Sequence, residues 1–176
     1  MGLGMKIKRL FGADQTEDKT TGLYSPLSGK VVPLNEVKDE TFSGGILGEG
    51  VAIEPSGDVL LAPTDATVSQ VFDSGHAITL LTDVGAELLL HIGMDTVALG
   101  GKHFLCSLRA GERVRRGDVL IRFDGAAIRR AGYELTTPMV VCNSEEFDIR
   151  VMAQGEIAAL DLLMECRKKG DQRERI

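Results

Sequence analysis

Three times along this chain a turn built from proline or glycine leads at once into a short run of apolar and β-branched residues. The first copy is Tyr24-Ser25-Pro26-Leu27-Ser28-Gly29-Lys30-Val31-Val32-Pro33-Leu34, with its turn at Ser28-Gly29. The second runs from Leu61-Ala62-Pro63 through Val68 to Phe72. The third, Arg109 to Ile121, carries the spacing Gly-x-x-Val-x-x-Gly-Asp-x-Leu, which predicts a strand pair around a tight bend with Val114 and Leu120 inward. A returning unit constrains a chain more than any single propensity, because each copy must bury its apolar face against another. The recurrence predicts an all-β, internally duplicated antiparallel sandwich with a few short helical turns. Twenty-one glycines and no tryptophan suit many short strands joined by tight turns, and 176 residues suffice for one domain with a sizeable core.

The remaining segments fit around that frame. In residues 1–12, Leu3, Ile7, Leu10 and Phe11 follow helical spacing while Lys6, Lys8 and Arg9 supply positive charge, a pattern compatible with weak contact to an anionic membrane surface. Residues 13–22 are polar and patternless, so 1–21 read as a flexible N-terminal segment, 22–166 as the folded domain and 167–176 as a charged, disordered tail. Helical excursions are expected from Asp124 to Ala131 and near Glu145 to Asp148, and Ala158 to Cys166 as a strand or a helical turn. Gly44-Gly45-Ile46-Leu47-Gly48-Glu49-Gly50 matches neither GxxxxGK[ST] nor GxGxxG; it reads as a close-approach loop leading into a strand at Val51 to Ile53. A net charge of −6 argues against nucleic acid and for a partner with a basic docking face. Cys106, Cys142 and Cys166, odd in number and without CxxC spacing, fit a reducing cytosol and no cysteine metal site. No apolar run approaches the ~20 residues of a spanning helix, so a cytoplasmic location is expected.

Two of the three histidines occupy matching places. His91 closes the apolar run Leu88-Leu89-Leu90 just before Ile92-Gly93, and His76 stands between Gly75 and the run Ile78 to Leu81. If the two strands pair antiparallel, the imidazoles face one another across the ladder. Such a pair suits zinc, although a protein site wants at least three ligands and His103 is the only other histidine. It also suits general acid–base work, given a carboxylate orienter and a cavity. It suits nucleophilic attack on phosphorus as well, one imidazole accepting the group while the other and a hydroxyl hold its oxygens. Ser74, two residues before His76, is placed by strand alternation on the same face and would supply that hydroxyl.

The stretch Gly85-x-x-Leu-Leu-Leu-His91-Ile-Gly-Met-x-Thr96-Val97 closely resembles the phosphorylation signature of the glucose-type enzyme IIA family of the bacterial phosphoenolpyruvate:sugar phosphotransferase system. The resemblance extends over about residues 22–160 through Ser25-Pro26-Leu27-Ser28-Gly29, Phe42, Gly48-x-Gly50-Val-Ala-Ile53, Ala62-Pro63, Phe72, His76-Ala77 and Thr137-Pro138. It implies a β-sandwich of the duplicated hybrid type. It implies a phosphoryl carrier in which His91 accepts phosphate at its tele nitrogen from the histidine phosphocarrier protein and passes it to a cysteine of the IIB domain of a sugar permease. His76 would stabilise the group in transit, helped by Ser74 where the family often has threonine. Phe42, Leu47 and Phe72 match an apolar docking ring, with Thr41 at a position that is often valine. Asp39 and Asp95 match acidic rim positions that meet an arginine of the phosphocarrier. No cofactor is required by this chemistry. Some relatives also bind regulatory targets, and a weakly held zinc between His76, His91 and a partner's carboxylate is a further expectation of the resemblance.

Two rivals share the architecture. A zinc metallopeptidase of the cell-wall-hydrolase type, or a non-catalytic zinc module, wants H-x-H and H-x-x-x-D; here position 93 is Gly, and Leu80 lies four residues after His76. A biotinyl or lipoyl carrier wants a lysine at a hairpin tip, and neither Met-Lys-Met nor Asp-Lys-Ala is present.

Overall fold

The computed structural model describes residues 19–170. The amphipathic spacing of residues 1–12 and the last residues of the charged tail lie outside them. In chain order the elements are β1 (Thr20–Tyr24), β2 (Gly29–Pro33), α1 (Glu40–Ser43), β3 (Glu49–Pro55), β4 (Val59–Leu61), β5 (Ala66–Val71), β6 (Ala77–Thr82), β7 (Glu87–His91), β8 (Phe104–Leu105), β9 (Arg113–Val114), β10 (Val119–Phe123), α2 (Gly125–Arg130), β11 (Thr137–Val141), β12 (Phe147–Val151), β13 (Gly155–Ile157) and β14 (Leu162–Lys168), with 3-10 turns at Leu34–Glu36, Thr96–Leu99 and Ser144–Glu146. Every strand pair is antiparallel. One sheet runs β13-β2-β3-β11-β7-β6-β5-β9, and two three-stranded sheets run β1-β14-β12 and β4-β10-β8. The all-β sandwich expected from the recurrence is the observed fold.

The recurrence has a physical counterpart. In the first two copies the residue two before the proline donates its N–H to the proline carbonyl of the other copy, Tyr24 to Pro63 and Leu61 to Pro26, both at 2.9 Å. Gly117 and Ala62 join the third copy to the second at 2.9 Å. Val114 and Leu120 are both buried as expected. Their strands are nevertheless not a pair: β9 joins β5 and β10 joins β4, because the bend at Gly117 sends the chain from one sheet to another.

The three consecutive leucines of β7 reflect a strand covered on both faces, where alternation gives way to a continuous apolar run. Leu88 and Leu90 enter the main core with Ile53, Ile78, Leu80, Met139 and Val141. Leu89 faces the other way, into a smaller cluster of Val37, Phe42, Ala52, Ala77, Met94 and Val140. That second face carries the histidines. The glycine-rich segment is a close approach, as expected: a Cβ on Gly48 would lie 2.1 Å from the Val141 carbonyl oxygen, and one on Gly50 would lie 2.0 Å from that of Met139.

Several boundaries shift. β1 begins at Thr20, inside the segment read as flexible. β14 continues through Lys168, whose N–H donates to the Lys19 carbonyl at 3.1 Å, while Lys169 N–H donates to Glu146 at 2.9 Å. Backbone pairing pins these polar residues where side-chain patterning shows nothing. Asp124 and Ala131 are the caps of α2 rather than part of it, the Asp124 carboxylate accepting from Ala127 N–H at 3.0 Å. The excursion near Glu145 is one 3-10 turn, and Ala158–Cys166 leads into strand. Among the described residues no helix is long and apolar enough to cross a membrane.

Candidate functional site

The register of β6 on β7 decides the site. Ala77 stands opposite His91, and the ladder extends one step further when Ile92 N–H donates to the His76 carbonyl at 2.8 Å. The two imidazoles therefore meet, with ring centroids 4.8 Å apart and planes at 84°. On the other flank, β11 pairs with β7 only from Met139 to Val141. The next position in that register would set Pro138 against His91, and proline has no N–H to continue the ladder. The strand that supplies the core thus ends its pairing at the level of the histidines.

His91 is half-buried, and its Nδ1 lies 2.8 Å from the Gly93 carbonyl oxygen. A carbonyl only accepts, so the proton sits on Nδ1 and the lone pair is left on Nε2. The Phe42 ring stands edge-on at 5.3 Å. Burial pulls the His91 pKa below the usual histidine value, while the Gly93 carbonyl and the Asp39 and Asp95 carboxylates oppose that shift. The neutral imidazole is favoured, with a free nitrogen.

His76 is only 4% exposed and is packed between rings rather than hydrogen-bonded at Nδ1: Phe72 at 5.8 Å, Phe104 at 6.4 Å and His91 at 4.8 Å. Among the described residues its buried Nδ1 has no hydrogen-bond partner. A buried lone pair without a donor is better tolerated than a buried N–H without an acceptor, so the proton belongs on Nε2. Burial, with His91 adding a smaller push, lowers its pKa to about 4. His76 is then a neutral hydrogen-bond donor.

The other expected residues are placed less uniformly. Ser74 is not on a strand. It lies in the turn before β6, where Gly75 takes φ +67°, so alternation does not set its face relative to His76. Phe42 is 2% exposed and buttresses His91 from the side instead of presenting a docking face. Phe72 falls just past β5 and is partly covered. Leu47 is exposed, together with Ile46 at 75% and Val97 at 56%, which the sequence reading did not single out as docking residues. Asp39 caps α1, accepting from Thr41 N–H at 2.9 Å and from the Thr41 hydroxyl, and these bonds hold its carboxyl below the usual carboxylate range. Thr41, at a position that is often apolar in the resembling family, thereby acquires a job in the cap. Asp95 is exposed with φ +58° at the head of the 3-10 turn Thr96–Leu99.

Phe104 and Glu134 come to the site from distant segments. Phe104 follows the left-handed pair Gly100-Gly101. Glu134 follows the end of α2, where Gly132 at φ +95° closes the helix and Tyr133 N–H returns to Ile128 at 3.3 Å. Its carbonyl then accepts from Met94 N–H at 3.0 Å. The turn signal Ala131-Gly132 was readable in the sequence; its destination was not. Among the described residues no three His, Cys, Asp or Glu side chains are placed to hold a metal ion. The two imidazoles fall short of the three protein ligands a zinc site wants, so these residues alone do not fit one.

A buried imidazole donor beside an imidazole with an open Nε2 can receive an electrophilic group on the second and hold its oxygens with the first. Residues 21–147 match the family described as phosphoenolpyruvate-dependent sugar phosphotransferase system, EIIA 1. The chain is 47% identical over 148 residues to the PTS system beta-glucoside-specific EIIBCA component of Dickeya chrysanthemi, covering 84% of this chain and 23% of that one. It is 34% identical over 169 residues to the PTS system glucose-specific EIIA component of Haemophilus influenzae, covering 96% of this chain and 100% of that protein. The solved structure of glucose permease IIA from Mycoplasma capricolum superposes with a TM-score of 0.79 at 29% identity, over 83% of this chain and 95% of that one. The chain spans about a quarter or less of the length of the EIIBCA relatives it matches.

Proposed function

This chain belongs to the EIIA 1 family of the phosphoenolpyruvate-dependent sugar phosphotransferase system, and from that premise we propose that His91 Nε2 carries a phosphoryl group from a histidine phosphocarrier protein to the IIB domain of a sugar permease. The observation that carries this reading is the Gly93 carbonyl on His91 Nδ1, which leaves the opposite nitrogen as the nucleophile.

In the transfer, the Nε2 lone pair forms the new N–P bond as the donor's N–P bond breaks, and the donor imidazole leaves with that electron pair. His91 keeps its proton on Nδ1, donated to the Gly93 carbonyl, throughout. Bond broken and bond made are of one kind, so the step is close to isoenergetic and reversible. A loose phosphoryl transition state asks for alignment and charge stabilisation more than for a strong base. His76, 4.8 Å away, donates its Nε2–H to the equatorial oxygens, and the Ser74 hydroxyl in the adjoining turn is proposed as a second donor.

Alignment comes from docking. Ile46, Leu47 and Val97 present exposed apolar surface, Phe72 is half-buried against His76, and Phe42 packs against His91. Asp39 and Asp95 supply acidic groups near His91 that suit a basic partner. An apolar centre with a charged rim suits a transient, specific encounter.

The test is phosphorylation with phosphoenolpyruvate, enzyme I and the phosphocarrier. Wild type should take acid-labile label and His91→Ala none. His76→Ala should accept label and hand it on to a IIB domain poorly. Label retained on His91→Ala overturns the acceptor assignment.

A further inference from the structure

Thr96 is fully buried, and its hydroxyl donates to the Ile92 carbonyl at 2.5 Å. Ile92 is the residue whose N–H holds the His76 carbonyl at 2.8 Å, so the threonine fixes the residue that follows His91 and bonds back to His76. Its methyl group is placed as closely: a Cβ on Gly93 would lie 2.6 Å from Thr96 Cγ2 and 2.7 Å from the Glu134 carbonyl oxygen. Gly93 is thus confined between Thr96 and Glu134 at φ +75°, a conformation that glycine adopts readily.

The peptide that follows is held at both ends. Its N–H, from Met94, donates to Glu134 at 3.0 Å, and its C=O, from Gly93, faces His91 Nδ1 at 2.8 Å. Donation at one end of an amide polarises the carbonyl at the other and strengthens it as an acceptor. The path Glu134 carbonyl, Met94 N–H, Gly93 carbonyl, His91 Nδ1–H therefore does for this imidazole what an orienting carboxylate does for others.

We propose that Thr96 is a positioning residue for the phosphoryl transfer: by anchoring the Ile92 carbonyl and confining Gly93 it aims the Gly93 carbonyl at His91 Nδ1 and so keeps the lone pair on Nε2. This rests on His91 being the phosphoryl acceptor. A threonine that merely filled space would be replaced by valine with a change in stability and none in the imidazole's tautomer.

The experiment compares wild type, Thr96→Val and Thr96→Ser, each labelled with 15N-histidine, by single-turnover transfer from the phosphorylated phosphocarrier and by the 15N spectrum of His91. Thr96→Val should lower the maximal transfer rate about tenfold to a hundredfold at unchanged donor KM, the scale of a small misplacement of reacting groups. Its spectrum should shift from protonated Nδ1 toward a mixture of tautomers. Thr96→Ser should restore most of the rate and the tautomer. A folded Thr96→Val with wild-type rate and tautomer overturns the proposal. So does a wild-type spectrum with the proton on Nε2, which needs no variant to fold. The spectrum reads the tautomer whether or not label is taken, so a failed acceptor assignment and a failed role for Thr96 are told apart.

Discussion

At the scale of residues, two imidazoles 4.8 Å apart both have their pKa lowered chiefly by burial, and each has a consequence in pH. In the proposed transfer His91 must be uncharged to attack, and burial holds its pKa below the ordinary histidine value. The rate of phosphoryl acceptance should therefore stay flat through neutral pH and fall only on the acid side of the ordinary histidine range; a rate profile with the phosphocarrier, corrected for the donor's own titration, checks this. His76 bears on stability. Its pKa is about 4 in the fold against 6.5 for the free side chain. Between those values the unfolded chain binds more protons than the folded one, so stability is complete above about pH 6.5 and is lost as pH falls toward 4, by up to about 3 kcal/mol. Urea unfolding at pH 7 and pH 4.5 should show that loss reduced in His76→Gln, and an equal loss in both would refute the assignment.

At the scale of elements, the site depends on how closely β3 lies on β11, the neighbour of β7. β3 is pressed onto β11 through Gly50, where any Cβ would meet the Met139 carbonyl at 2.0 Å. Gly50→Ala must push β3 away or distort β11, which is rigidly paired to β7. Overpacking costs roughly 1–3 kcal/mol, and at this half-buried glycine a clash with backbone belongs at the upper end. The urea midpoint should drop accordingly, and an unchanged midpoint would mean the strands are less tightly apposed than described. α1 shows the opposite economy. It is only four residues long, yet it places Asp39 at its cap and Phe42 against His91, so one short element serves both the electrostatics and the packing of His91.

At the scale of the molecule, a net charge of −6 and the exposed apolar side chains Ile46, Leu47 and Val97 divide the work of the proposed association. Charge speeds encounter with a basic partner and is screened by salt, while the apolar side chains set how long the encounter lasts. Ile46→Asp removes the most exposed apolar side chain in the α1–β3 loop while leaving the core untouched. It should raise the KM for the phosphocarrier about tenfold at unchanged kcat and unchanged melting temperature, the size expected of a hot-spot side chain. Raising the salt concentration should slow the association of wild type and the variant alike. A variant with wild-type KM would place docking elsewhere on the surface.

Much of this was legible in the chain itself. Three returns of one turn-and-strand unit dictated a duplicated sandwich, because isolated copies cannot bury their faces. Leu88-Leu89-Leu90 announced a strand covered on both sides, and two histidines at matching strand ends announced a facing pair. These are local facts of pattern, and periodicity carries them. What the tertiary structure alone decided is register and arrival. A slip of one residue between β6 and β7 would turn His91 to the opposite face of the sheet. Whether Ser74 sits on a strand or in a turn depends on the φ of Gly75, and whether Phe42 is a surface or a buttress depends on where α1 is set down. Phe104 reaches His76, and the Glu134 carbonyl reaches Met94 N–H, from segments with no pattern of their own to announce it. The nitrogen left free on His91 is chosen by a carbonyl two residues away, which is aimed only once the loop around Gly93 has closed against Thr96 and Glu134.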